Sequence, residues 1–236
     1  MPKITALPDV VLLDGGMGRE LRFRGVEILD TIWSANALLT APDVVRDIHR
    51  DYIAAGADII TTNTYSTIRA DLAKEGIEDQ FERLNLLACS LAIEARAESA
   101  KPVWIAGSLP PLHGSYRPDL VRPFEEIEPL YREQAAILAP HVDLFLCETM
   151  SSAVEALAAA SAASRTGKPV WVSFTLHEDQ SDRLASFRIS DQLLRPRKHH
   201  SSPTRADRLR CQTRRRLRQH LHPCPRKLDS RRVRAN

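Results

Sequence analysis

The sequence predicts an α/β fold of the (β/α)8 barrel type, carried through about five strands and followed by a basic tail of different character. Three observations lead there. Five short apolar runs alternate with helical patterns, polar residues cluster where those runs end, and the composition changes abruptly near residue 182.

The runs are Val10–Asp14 (VVLLD), Ala57–Asn63 (ADIITTN), Pro102–Ser108 (PVWIAGS), Val142–Glu148 (VDLFLCE) and Pro169–Thr175 (PVWVSFT). Each is rich in apolar and β-branched residues with little polar alternation, the pattern of parallel strands covered on both faces. Between them, Pro42 to Ala55 predicts a helix, with Pro in the first turn after Thr40 and Gly56 as the stop. Asp79 to Ala100 carries Phe81, Leu84, Leu87, Ala88, Leu91 and Ala95 at helical spacing. Pro123 to Leu138 opens with Pro and three Glu, which suit the helix dipole. Pro129 either kinks that helix or marks its true start. Ser152 to Ser164 is Ala-rich and stops before Gly167.

The order βαβαβαβαβ admits an open doubly wound sheet or a barrel. Asp14 before Gly15 and Gly16, Thr62 with Asn63, Ser108, Glu148 and Ser173 all stand at strand C-terminal ends. Sites of TIM-barrel type are assembled on that face, which favours the barrel. Closure needs eight strands and roughly 250 residues. Five strands therefore predict a barrel truncated after the fifth, with unpaired edges and poor solubility.

Residues 1–182 hold 16 Lys+Arg against 27 Asp+Glu, whereas residues 183–236 hold 17 against 3, and 15 of those 17 are Arg. No Gly follows Gly167, and Phe187 is the one aromatic residue beyond 182. The chain thus divides into a partial barrel domain, 1–182, and an Arg-rich tail, 183–236, disordered by composition. Two accounts of the tail compete. One is a genuine basic extension that binds nucleic acid or another polyanion, which would make the chain a non-catalytic binder. The other is an out-of-frame translation, favoured by the abrupt onset and the Arg/Pro/Ser/His bias. Cys211, His220, His222 and Cys224 are of metal-ligand type, but their spacing matches no common zinc module.

No run of ~18 apolar residues is present, so no membrane partner is expected. The start MPKITALPDVV lacks the basic and apolar regions of a secretory signal. Four scattered cysteines, Cys89, Cys147, Cys211 and Cys224, fit reduced thiols. Together these predict a cytoplasmic chain.

The sharpest local signal is LLDGGMGREL, Leu12–Leu21. A strand ends at Asp14, and three glycines follow within four residues. Glycine lets a ligand approach backbone N–H groups closely, although a plain strand-to-helix turn reads the same way. The spacing is not the G-x-G-x-x-G of a dinucleotide site. On a barrel, Asp14 and Glu148 place two carboxylates on one face. Such a pair suits a ligand ammonium, and the free N–H groups of a Gly-rich loop suit a carboxylate. The outline is an amino-acid pocket.

Four separated segments make this more specific: LLDGGMGREL, IWSANALLTAPDVVRDIHRDYIAAGADIITTNTYS, AGSLPP and DLFLCETM. In order and spacing they resemble the homocysteine S-methyltransferase family over roughly residues 8–180, most closely its S-methylmethionine-dependent type. The resemblance implies a (β/α)8 barrel that moves a methyl group from S-methylmethionine or a similar donor to the homocysteine thiol, giving methionine. It implies substrate-binding roles for Asp14, Gly15, Gly16 and Glu148, with Thr62 and Asn63 as weaker candidates. Trp33 is placed on the methyl-donor side, where an aromatic face attracts a sulfonium; a packing role serves it equally well. The resemblance also implies zinc held by three cysteines, one in an Asn-Cys pair and two in a Gly-Gly-Cys-Cys segment. Neither segment occurs in this sequence, and Cys147 does not match a ligand position. Substrate-gripping residues are expected without the groups that activate the thiol.

Overall fold

The structure is a computed structural model that describes residues 10–176. The predicted tail, 183–236, with Cys211, His220, His222 and Cys224, lies outside the described residues.

Four parallel strands form one sheet: β1 (Ile59–Thr61), β2 (Trp104–Leu109), β3 (Leu144–Met150) and β4 (Val170–Phe174). Their spatial order is their sequence order. A doubly wound sheet reverses direction at a switch point, whereas a barrel adds each strand beside the last. The unbroken order therefore decides between the two alternatives in favour of the barrel.

The predicted first strand, Val10–Asp14, is reduced to one bridge between Leu13 and Ile59. Carboxylates explain the difference. The Leu12 N–H donates to Asp58 Oδ2 at 2.9 Å, and the Thr61 N–H donates to Asp14 Oδ2 at 2.7 Å. Side chains thus take hydrogen bonds on both sides of the one backbone bridge. The segment still lies against β1, with the Asp58 N–H donating to Leu12 O and the Asp14 N–H to Ile59 O.

The helices follow the sequence pattern with trimmed ends: α1 (Met17–Phe23), α2 (Asn36–Thr40), α3 (Pro42–Ala54), α4 (Arg69–Leu72), α5 (Phe81–Ala97), α6 (Phe124–Leu138) and α7 (Ala153–Ser164). The expected helix from Asp79 begins at Phe81 because a 3-10 turn, Glu78–Gln80, precedes it. Pro129 does not mark the start of α6, which begins five residues earlier. α7 is capped by Ser152, whose hydroxyl accepts the Val154 N–H.

Apolar residues on the two sides of the sheet have different partners. Ile60, Ile105, Phe145 and Cys147 pack outward against Ala92 and Ala95 of α5, Ile127 and Tyr131 of α6, and Ala159 of α7. Ile59, Trp104, Ala106 and Leu144 face the other way and form a smaller cluster with Val11, Leu146 and Trp171. Strand alternation then puts Thr61, Ser108 and Glu148 on this inner face, one step further along β1, β2 and β3. The inner apolar layer is the floor beneath the polar residues.

Candidate active site

Asp14 is held at the C-terminal end of the first segment by Thr61. The Thr61 N–H reaches Oδ2, and its hydroxyl donates to Oδ1 at 2.9 Å. Glu148, on β3 and so three positions along from the Asp14 segment, accepts the Ser108 hydroxyl on Oε1. Both carboxylates are half-buried and close enough for the Glu148 charge to act on Asp14. Burial raises the Asp14 pKa from 3.8 to about 7; the hydrogen bonds from Thr61 oppose the rise and the Glu148 charge adds to it. Burial also pushes Glu148 up, opposed by Ser108. Two half-buried carboxylates that resist ionisation favour a cation beside them.

The glycines have a packing reason as well as a ligand reason. A Cβ on Gly15 would lie 2.6 Å from the Tyr52 hydroxyl, and one on Gly18 would lie 2.5 Å from Trp33 Nε1. Gly15 and Gly16 are both exposed beside Asp14, so their backbone is open to a ligand. Gly16 has room for a side chain and Gly15 does not.

Thr62 and Asn63 are engaged differently. Both are buried. The Thr62 hydroxyl pairs with Thr64 Oγ1 and accepts the Ser108 N–H, tying the end of β1 to that of β2. Asn63 accepts the Ser34 hydroxyl at 2.6 Å and donates to Ser34 O at 2.9 Å. That pair anchors the loop carrying Trp33. The Trp33 ring is partly exposed, and the Arg22 guanidinium sits 4.5 Å from its centroid, so one ring face already holds a cation.

Thr61 and Tyr65 complete the site without having been singled out by sequence. Thr61 is one of several threonines in TTNT, and only the register shows that it grips Asp14. Tyr65 bonds the Ser115 hydroxyl at 2.7 Å. Burial pushes its pKa up, while Ser115 and Thr149 pull it down and Glu148 adds to the rise. Trp33, Tyr116 and Thr149 are the non-glycine residues with positive φ among the described residues, at 43°, 62° and 63°. Thr149 lies near the end of β3, at the register shift between Cys147 and Met150, whereas Trp33 and Tyr116 lie outside the sheet; such strain concentrates around binding sites.

Comparison with known proteins gives the family. The homocysteine S-methyltransferase family profile matches residues 11–221. The chain belongs to the homocysteine S-methyltransferase family. It is 35% identical to homocysteine S-methyltransferase of Escherichia coli over 188 residues, covering 73% of this chain and 60% of that protein. It is 32% identical to a selenocysteine methyltransferase of Astragalus bisulcatus, over 70% of this chain and 58% of the relative. The crystal structure of the E. coli homocysteine methyltransferase MmuM in its metallated form superposes with a TM-score of 0.69 at 31% identity, covering 77% of this chain and 68% of that one. The chain thus spans about 60% of the length of these curated relatives.

A metal is a different matter. Among the described residues no three His, Cys, Asp or Glu side chains come together as a ligand set. The Cys89 and Cys147 thiols are buried, and burial pushes both up to about 12. Neither is a ready thiolate at neutral pH. The described residues do not fit the zinc that the family resemblance implies.

Proposed function

We propose that this chain is the amino-acid-gripping part of a homocysteine S-methyltransferase, acting on homocysteine with S-methylmethionine or a similar methyl donor. The observation that carries the reading is the Asp14–Glu148 pair. Two carboxylates with raised pKa, each held by one hydroxyl-bearing neighbour from the adjacent strand, suit the ammonium of an amino acid. In this reading the Gly15 and Gly16 N–H groups receive the ligand carboxylate. The side chain, with its sulfur, then points toward the loops that carry Trp33 and Tyr65. Thr62 and Asn63 shape the pocket wall, with Asn63 holding the Trp33 loop through Ser34.

Activation of the thiol is not assigned to any described residue, because none fits zinc. The gripping part of the site and the activating part are separable in this reading, and the first is tested alone. Calorimetric titration with L-homocysteine and with L-methionine is expected to show binding to the chain. Asp14→Asn and Glu148→Gln are each expected to weaken it by about tenfold or more, the order of a lost charged hydrogen bond. Binding unchanged in both variants would overturn the reading. Methyl transfer is assayed separately, with S-methylmethionine as donor and zinc supplied.

A further inference from the structure

β2 ends in a sequence that cannot continue its own ladder. Leu109 is followed by Pro110 and Pro111, neither of which has an N–H to give. The first donor after the strand is Leu112, and residues 110–112 are all buried. Buried backbone groups need partners, and here two side chains supply them. Glu155, in the first turn of α7, accepts the Leu112 N–H on Oε1 at 3.0 Å. The Tyr131 hydroxyl of α6 donates to Pro110 O at 2.8 Å.

Glu155 is 1% exposed, and among the described residues no Lys, Arg or His acts on its charge. Its second oxygen, Oε2, is shut off from solvent and has no hydrogen-bond partner among the described residues. An ionised carboxylate in that place would be a buried, unpaired charge, which a low-dielectric interior disfavours. The undissociated acid has an outlet. The Tyr131 hydroxyl stands beside Glu155 and has given its hydrogen to Pro110, so the phenolic oxygen is free to accept one. Burial raises the Glu155 pKa, opposed by the Leu112 N–H and the Tyr131 hydroxyl.

We propose that Glu155, as an undissociated carboxylic acid, is a positioning residue that clamps the Pro110–Leu112 turn and so sets one wall of the amino-acid pocket. Ser108 lies two residues before the clamped turn and Ser115 three residues after it. Ser108 donates to Glu148, and Ser115 pairs with the Tyr65 hydroxyl. Tyr65 is also near enough to Tyr131 to act on it. A turn that slipped would shift both serines and with them the groups they hold. Glu155 touches no ligand in this account and works only through the turn. The clamp stands on its own geometry, whereas its effect on the pocket rests on the proposed function.

The full chain is compared with Glu155→Gln, Glu155→Leu and Tyr131→Phe. The amide of Glu155→Gln keeps an acceptor for Leu112 and offers an N–H to the Tyr131 oxygen, so it replaces the acid but not a carboxylate. Hydrogen exchange over residues 112–116 is expected to stay within about twofold of the parent in Glu155→Gln and to quicken about tenfold or more in Glu155→Leu. Affinity for L-methionine is expected to follow, kept in Glu155→Gln and lowered about tenfold in Glu155→Leu. Infrared difference spectra at neutral pH, parent minus Glu155→Gln, are expected to show the C=O band of a protonated carboxyl. Tyr131→Phe keeps the buried ring and loses the hydroxyl, so it reads the same clamp if Glu155→Leu does not fold; exchange over the turn is expected to quicken about threefold or more.

A carboxylate band in place of the acid band would overturn the proposal. So would Glu155→Gln behaving like Glu155→Leu, exchange unchanged in both Glu155→Leu and Tyr131→Phe, or a loosened turn with unaltered affinity. A parent chain that binds neither L-homocysteine nor L-methionine would overturn the proposed pocket and the positioning role with it, while exchange and infrared spectra still decide the clamp.

Discussion

Acidification tests the carboxylate pair directly. If a ligand ammonium binds only when Asp14 is ionised, the empty site must lose a proton on binding wherever the pH lies below the Asp14 pKa of about 7. Well below that value the ionised fraction falls about tenfold per pH unit, and it is already about one half at pH 7, so affinity is expected to drop about 50-fold between pH 7 and pH 5, or about 2.3 kcal/mol. Glu148 is shifted in the same direction, so the slope will steepen further if both carboxylates must ionise. The assay is calorimetric titration with L-methionine from pH 5 to 7.5, in pairs of buffers with different ionisation heats. About one proton is expected to be released per ligand at pH 5.5, and fewer as the pH rises past 7. Thr61→Val removes a hydroxyl that favours the ionised form of Asp14, so the midpoint should move upward. An affinity that stays flat across this range, or proton uptake on binding, would refute the reasoning.

Other perturbations have equally definite outcomes. His49 is fully buried, with neither ring nitrogen hydrogen-bonded among the described residues, and burial lowers its pKa from 6.5 to about 4. Its contribution to stability is complete above pH 6.5 and is lost as the pH falls through that value toward about 4, up to about 3 kcal/mol; His49→Leu is expected to remove that part of the acid sensitivity in urea melts at pH 7.5 and 4.5. Gly18→Ala puts a Cβ 2.5 Å from Trp33 Nε1, so a cost of about 1–3 kcal/mol and a shifted tryptophan emission are expected. Asn63→Ala breaks both bonds to Ser34 and leaves a buried hydroxyl without its acceptor, which predicts a loss of about 2–3 kcal/mol in thermal or urea unfolding.

Much of this fold was legible along the chain because burial on both faces writes a continuous apolar run. VDLFLCE and PVWIAGS read as strands for that reason, and both are central in the sheet. VVLLD has the same composition yet forms one bridge, because Asp58 and Asp14 take flanking backbone hydrogen bonds with their side chains. No local pattern distinguishes a carboxylate that ends a strand from one that replaces its ladder. The site divides in the same way. Asp14, Gly15, Gly16 and Glu148 were marked by their place at strand ends, whereas Thr61 and Tyr65 depend on contacts across 47 and 50 residues of sequence.

By itself the sequence determined the βα alternation, the family and the carboxylates that line one face, because hydrophobic period, turn glycines and strand-end polarity are local properties. It also marked the absence of the expected Asn-Cys and Gly-Gly-Cys-Cys segments. Only the tertiary structure decided that the strand order is unbroken, that Asp14 and Glu148 influence one another, and that Asn63 is bound to Ser34. Each of these depends on which residues become neighbours across strands. That is set by register and twist, which are not local properties of the chain.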